Sequence, residues 1–230
     1  MSTQPPSRAG SATGPALSTG PAFSAGSNLP RDAAIWLVRH GETEWSRSGQ
    51  HTSRTDVALT ALGEEQASAL RPILDQLDPA LVLSSPRRRA LRTAELAGLT
   101  VDAIDPDLVE WDYGDYEGLT SVEIRQLGDP DWTIFTGEVP NGESAADVEI
   151  RVDRVLDRVL GYVSDGPVVL VAHGHIGRVL AARWIGLDVR DGKRFTLGTA
   201  AISVLGAEHG TAVIDRWNIP NPRQPEQEAQ

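Results

Sequence analysis

The sequence predicts an α/β fold, a three-layer sandwich with a mostly parallel central sheet flanked by helices. Three observations carry that expectation. Short apolar runs alternate with stretches of helical periodicity. The runs are apolar throughout rather than every second residue, as in strands covered on both faces. Three of them end in short polar segments holding Arg, His or Ser. The carboxyl edge of a parallel sheet, where ligands bind, is the natural place for such segments.

In order, Ala33–Val38 reads as the first strand. Thr60–Leu77 has helical spacing through Leu62, Ala69, Leu70, Ile73, Leu74 and Leu77, and Pro72 predicts a kink or break within it. Leu81-Val82-Leu83 is a second buried strand, with a helix from about Arg87 to Ala97 and a short strand near Val101–Ile104. Ser144 with Asp147 has the form of a capping box, opening a helix that lines up Val148, Val152, Val155, Leu156, Val159 and Val163. Val168–Val171 is the clearest buried strand, and a helix through Val179–Ile185 follows it. Two β-rich pieces, Ala201–Leu205 and Ala212–Trp217, flank a turn at Glu208-His209-Gly210.

Residues 1–30 are mostly Ser, Ala, Gly, Pro and Thr and read as a disordered leader. The folded domain is expected over 31–218, with 219–230 as a flexible tail. The leader lacks the apolar core of a secretory signal and no stretch is long enough to span a bilayer, so a cytoplasmic protein is expected. A net charge of -11 argues against nucleic-acid binding. The absence of cysteine excludes disulfides, thiolate catalysis and Cys-type zinc sites.

Chemistry gathers at the strand ends. Arg39-His40-Gly41 follows the first strand, Ser84-Ser85-Pro86-Arg87-Arg88-Arg89 the second, and Ala172-His173-Gly174-His175 the strand at 168–171. Parallel strands would bring all three to one edge. An Arg-His pair there is costly without a partner, and an anion is the partner that suits both. A neutral imidazole attacks phosphorus through one ring nitrogen when an acceptor holds the other, and guanidinium groups hold the phosphoryl oxygens. Gly41 and Gly174 are expected to let the backbone approach the phosphoryl group closely. Arg39 and one arginine of 87–89 are candidates for the cations, His40 for the nucleophile and His173 for a further donor. Arg87 and Arg88 read better as a solvated helix start. The stretch Glu110–Gly118 offers four carboxylates among aromatic rings, one of which is expected to protonate the leaving group. His51 and His209 stand apart and read as surface or hydrogen-bonded residues. No compact metal-ligand set and no P-loop Lys-Ser/Thr accompanies these motifs.

Together the motifs resemble the histidine phosphatase superfamily, the phosphoglycerate-mutase-like proteins, over roughly residues 33–218. The resemblance rests on Arg39-His40-Gly41-Glu42-Thr43, Thr52 to Thr60, Ser85 to Thr93, Glu110 with Tyr113-Gly114, and His173-Gly174, in that order. It implies that His40 accepts the phosphoryl group, that Arg39, Arg89 and His173 form its pocket, and that Glu110 donates the proton. It also implies that Thr43, Ser46, Thr52, Ser53, Tyr113, Gly174 and His175 line the substrate site, and that neither metal nor cofactor is used.

The mutases of this family carry asparagine at the position of Ser46 and Gly-Trp at Ser53-Arg54. They also carry a lysine near Ser121 and paired arginines near Thr133-Ile134. Losing that basic clamp favours transfer to water. The segments 48–52, 110–120 and 172–175 look most like the acid phosphatase and sugar-bisphosphatase branches. The expected partner is a small phosphorylated metabolite, with a homodimer left open. Rival readings are a phosphoglycerate mutase and a silent phosphometabolite-binding module. Specificity is expected in Thr120–Ser144, where Asp129 and Asp131 would make a highly anionic bisphosphate less comfortable.

Overall fold

A computed structural model describes residues 29–221. Residues 1–28 and 222–230, most of the expected leader and tail, lie outside the described residues. The elements run β1 (Ala34–Arg39), α1 (Glu44–Ser48), α2 (Ala61–Ser68), α3 (Arg71–Leu74), β2 (Leu81–Ser84), α4 (Arg88–Leu96), β3 (Ala103–Ile104) and α5 (Ser121–Arg125). They continue with α6 (Ala145–Leu160), β4 (Val168–Ala172), α7 (Gly174–Trp184), β5 (Ile202–Glu208) and β6 (Thr211–Ile219). The six strands form one sheet in the order β3-β2-β4-β1-β5-β6. The first four in that order are parallel to one another, and β5 and β6 are antiparallel.

The parallel strands are apolar throughout because both faces are covered. Ile35 and Leu37 of β1, with Val168 and Leu170 of β4, join Val152, Leu156, Ile176 and Leu180 of α6 and α7 in one core. Val38, Val82, Val169 and Val171 point the other way, onto Leu70, Leu74, Ala90 and Ala94. Each such aliphatic side chain contributes about 1.5–3 kcal/mol on full burial. The three layers follow from this alternation. β5 and β6 are joined through His209 (φ 51°) and Gly210 (φ 81°), successive left-handed residues that suit a tight hairpin. His209 is thereby accounted for as a turn residue. β6 runs to Ile219, and the buried Asn221 donates from Nδ2 to the Thr199 carbonyl.

Local chemistry explains the helix ends. Ser144 Oγ accepts from Asp147 N while Asp147 Oδ2 accepts from Ser144 N, so the capping box at α6 forms as its spacing predicts. Pro72 falls in the first turn of α3, and the chain breaks between α2 and α3 just before it. α7 begins at Gly174, five residues before the periodic run at Val179. Two short helices, α1 and α5, are capped by Thr43 and Thr120; five residues are too few to show a period. Among the described residues no helix is long and apolar enough to cross a membrane.

Candidate active site

Because β1, β2 and β4 are parallel, their ends bring Arg39-His40, Ser84-Ser85 and His173-Gly174 to one edge. His40 N donates to the Ala172 carbonyl, tying the first and third of these segments directly. His40 is 5% exposed, and its Nδ1 lies 2.7 Å from the Gly41 carbonyl. A carbonyl only accepts, so Nδ1 carries the proton and Nε2 keeps its lone pair. Burial, then the charges of Arg89 and Arg39, hold the imidazole well below the usual histidine range. His40 is thus a neutral imidazole with one free nitrogen.

Arg39 lies against the same space. One Nη donates to the Leu197 carbonyl, while the buried Nε has no partner among the described residues. Burial lowers its pKa, opposed by Glu110 and Tyr113. A Cβ on Gly174 would stand 3.3 Å from the Arg39 Cζ, so this glycine makes room for the guanidinium. Gly41 makes room for a neighbouring backbone. A Cβ there would meet the Gly63 carbonyl oxygen at 2.2 Å, and one on Gly63 would meet the Glu42 oxygen at 2.1 Å. The two glycines let the loop after β1 cross α2 in backbone contact.

Arg89 and His173 are fully buried behind His40, whose ring centroid is 5.2 Å from that of His173. Arg89 Nε donates to His173 Nδ1 (3.2 Å), and its two Nη atoms donate to the carbonyls of Thr55 and Thr52. His173 Nδ1 is therefore the acceptor, and its Nε2–H donates to Ser85 Oγ at 2.7 Å. Burial and then Arg89 keep His173 neutral. Neither residue lines the open cavity; both pack behind the residues that do. Of the neighbouring arginines, Arg88 is exposed as expected, but Arg87 is half-buried, with its Nε buried.

Glu110 is gripped by backbone. Its Oε1 accepts from Trp111 N and Ile176 N, and Oε2 from His175 N, all within 3.0 Å. Two of these donors are first-turn N–H groups of α7, where a helix attracts an anion. This explains why α7 starts early. Oε2, holding one N–H, is the oxygen with capacity left for a substrate proton. The Glu110 carbonyl accepts from Ser53 Oγ (3.0 Å) and from Arg151 Nη2 (3.2 Å). Arg151 also forks onto Glu143 and reaches the Asp107 and Val109 carbonyls.

A cavity of about 250 Å³ opens in front of His40. Of the residues expected there, Arg39, His40, Thr43, Ser46, Thr52, Glu110, Tyr113, Gly174 and His175 line it. Ser53 does not; it is buried, with its hydroxyl on the Glu110 carbonyl and its N–H on Glu117. Tyr113 OH lies 2.6 Å from His175 Nδ1. Burial first, then Glu110, lifts the Tyr113 pKa well above 10, so the phenol donates and His175 Nδ1 accepts. Burial and Arg178 hold His175 neutral, so its 4.0 Å approach to Glu110 is not an ion pair.

Gln50, His51, Ser121, Arg178 and Leu197 also line the cavity. His51 is 7% exposed, 4.6 Å between ring centres from Tyr113, and lowered by burial to a pKa of about 4. It is a buried wall residue hydrogen-bonded to the Gly49 backbone, so of the two expected roles the hydrogen-bonded one holds and the surface one does not. Arg151 was legible in part. It sits between Val148 and Val152 on the apolar face of α6, a charge where periodicity asks for a hydrophobe. Among the described residues no group of three His, Cys, Asp or Glu is placed to hold a metal.

Residues 35–220 match the histidine phosphatase superfamily (branch 1). The chain is 44% identical over 197 residues to an acid phosphatase of Mycobacterium tuberculosis, covering 84% of this chain and 97% of the relative. It is 36% identical over 185 residues to a sedoheptulose 1,7-bisphosphatase of Saccharomyces cerevisiae, covering 67% and 68%. A solved structure from Mycobacterium tuberculosis superposes with a TM-score of 0.80 at 43% identity, covering 83% of this chain and all of that one.

Proposed function

The chain belongs to branch 1 of the histidine phosphatase superfamily, and from that premise we propose that it hydrolyses small phosphomonoesters in the cytoplasm, without a metal, through a phosphohistidine at His40. The observation that carries the reading is a neutral imidazole with a fixed tautomer beside the half-buried Arg39, whose buried Nε has no partner among the described residues. A buried guanidinium N–H without an acceptor is costly until an anion arrives.

In the first step His40 Nε2 attacks phosphorus, and the bond from phosphorus to the ester oxygen breaks. Glu110 gives its proton to the departing alkoxide. Arg39 holds the phosphoryl oxygens, while Arg89 fixes His173 and the loop at Thr52–Thr55 around them. In the second step Glu110 takes a proton from water, whose oxygen attacks phosphorus as the phosphorus–nitrogen bond breaks. Inorganic phosphate leaves, and His40 and Glu110 return to their starting forms. The acid phosphatase relative supports hydrolysis over transfer between carbons.

Rapid quenching with ³²P-labelled substrate tests the reading. Label stable to alkali and labile to acid should appear on the protein and be absent from His40→Ala. The released label should be free phosphate, and EDTA should leave the rate unchanged. A chelator-sensitive rate, or label moving from one carbon to another, overturns it.

A further inference from the structure

The stretch Glu110–Gly118 carries three carboxylates besides Glu110, and each has its own partners. Asp112 Oδ1 accepts from Gly114 N, and Oδ2 accepts from Arg54 Nε. Asp115 accepts from Asn141 Nδ2. Glu117 instead turns both oxygens onto the backbone of a loop 62 to 64 residues earlier. Its Oε1 accepts from Ser53 N and from Thr55 N, each at 2.9 Å, and Oε2 lies 3.0 Å from Ser53 N. Residues 52–55 have neither helix nor strand, and Ser53 is 2% exposed, so its buried N–H must find an acceptor. Just before this loop the two chains pair through backbone, His51 N on the Leu119 carbonyl and Gly118 N on the His51 carbonyl. Where they part, the Glu117 carboxylate continues the pairing. The loop's carbonyls have the opposite kind of partner, since Arg89 Nη2 and Nη1 donate to those of Thr52 and Thr55. An anion thus holds the amides of the loop and a cation holds its carbonyls. The fully buried Arg89 bonds to two carbonyls and a ring nitrogen, none of which cancels its charge as a carboxylate would.

We propose that Glu117 is a positioning residue for phosphoryl transfer. It does not line the cavity, so it acts through the loop that it holds. That loop supplies Thr52 to the cavity wall and sets Arg89, whose Nε fixes His173 behind His40. The same loop places Ser53, whose hydroxyl holds the Glu110 carbonyl. Glu117 serves through its reach rather than its charge, because what the two amides need is an acceptor at that distance. This rests on the phosphatase reading and adds a residue to its machinery.

The test measures the inhibition constant of inorganic phosphate, together with kcat/KM, during hydrolysis of nitrophenyl phosphate by three variants. Glu117→Gln removes the charge but keeps an oxygen at the Oε1 position, which accepts from both amides. Its inhibition constant should stay within about threefold of the original. Glu117→Asp keeps the charge but withdraws it from the loop by about 1.5 Å, and its constant should rise about tenfold. Glu117→Ala leaves both amides without their acceptor and should lose about a hundredfold in kcat/KM. A residue that only stabilised the fold would change the fraction of active enzyme, which lowers kcat and leaves the inhibition constant where it was. Glu117→Asp binding phosphate as well as Glu117→Gln does, or Glu117→Ala binding it as well as the original, overturns the proposal and leaves the phosphatase reading intact. The comparison of the Gln and Asp variants decides the matter even where the Ala variant does not fold. No phosphate release from nitrophenyl phosphate by the unmodified enzyme would instead overturn the phosphatase reading.

Discussion

Replacing Arg151 by Met keeps much of its volume and removes its charge. Arg151 is 5% exposed and makes five hydrogen bonds: two to the Glu143 carboxylate, and one each to the carbonyls of Asp107, Val109 and Glu110. Breaking a buried pair by removing one partner costs about 3–5 kcal/mol. Glu143 keeps its bond from Asp112 N and some access to water, which moderates the loss. We therefore expect a loss of about 4 kcal/mol, seen as a fall of roughly 10 °C in Tm for a domain of this size. Catalysis should suffer separately, because the same guanidinium fixes the backbone that carries Glu110. A displacement near 1 Å at a proton donor costs about a hundredfold in rate. The assays are urea unfolding and kcat on an alkyl phosphate at a temperature where the variant remains folded. Arg151→Lys keeps the charge without the planar fork and should recover less than half of the stability. Adding Glu143→Gln to Arg151→Met should recover part of it by removing the orphaned charge. Stability within about 0.5 kcal/mol of the original, with kcat unchanged, would refute the reasoning.

Glu110→Gln places an amide NH₂ against at least one of the three backbone N–H donors, so it should lower stability by about 1–3 kcal/mol. The same variant should slow alkyl phosphates about 10²–10⁴-fold and nitrophenyl phosphate far less, since nitrophenolate leaves without a proton; equal losses would argue against Glu110 as the acid. His40, His51, His173 and His175 all have lowered pKa values in the folded protein. The unfolded chain therefore binds protons first, and stability should fall as pH drops below about 6.5, by at least about 1.4 kcal/mol per unit; a flat urea midpoint between pH 6.5 and 5 contradicts this. Gly41→Ala sets a methyl group against the Gly63 carbonyl and should destabilise by about 1–3 kcal/mol in thermal melts; an unchanged Tm would show that the loop can move off α2.

Legibility in the chain followed the range of the physics involved. β4 is readable because a strand buried on both faces must be apolar at every position, and Val168–Val171 is. α6 is readable because Ser144 and Asp147 act within one turn. Arg39, His40 and His173 stand out because polar residues at the ends of apolar strands need a reason. His51 and Arg178 offer no such sign, since their meaning comes from elements far apart in sequence that share a wall. Ser53 shows the converse. A hydroxyl beside the site motif faces the protein interior, because the Glu110 carbonyl needs its donor more closely than the cavity does.

The neutrality of the buried histidines has a consequence for how the enzyme meets changing acidity. With His40, His173 and His175 uncharged and Tyr113 holding its proton, the fixed positive charge facing the reacting group comes from guanidinium alone. Guanidinium does not titrate in any range the enzyme meets. The attraction that the cavity's guanidinium groups exert therefore varies little with pH, and what varies is the proton on Glu110 and the substrate, whose phosphate takes its second charge near pH 6. In such a pocket an acid optimum is written in the ester that binds and in one carboxyl of the protein, and not in its histidines.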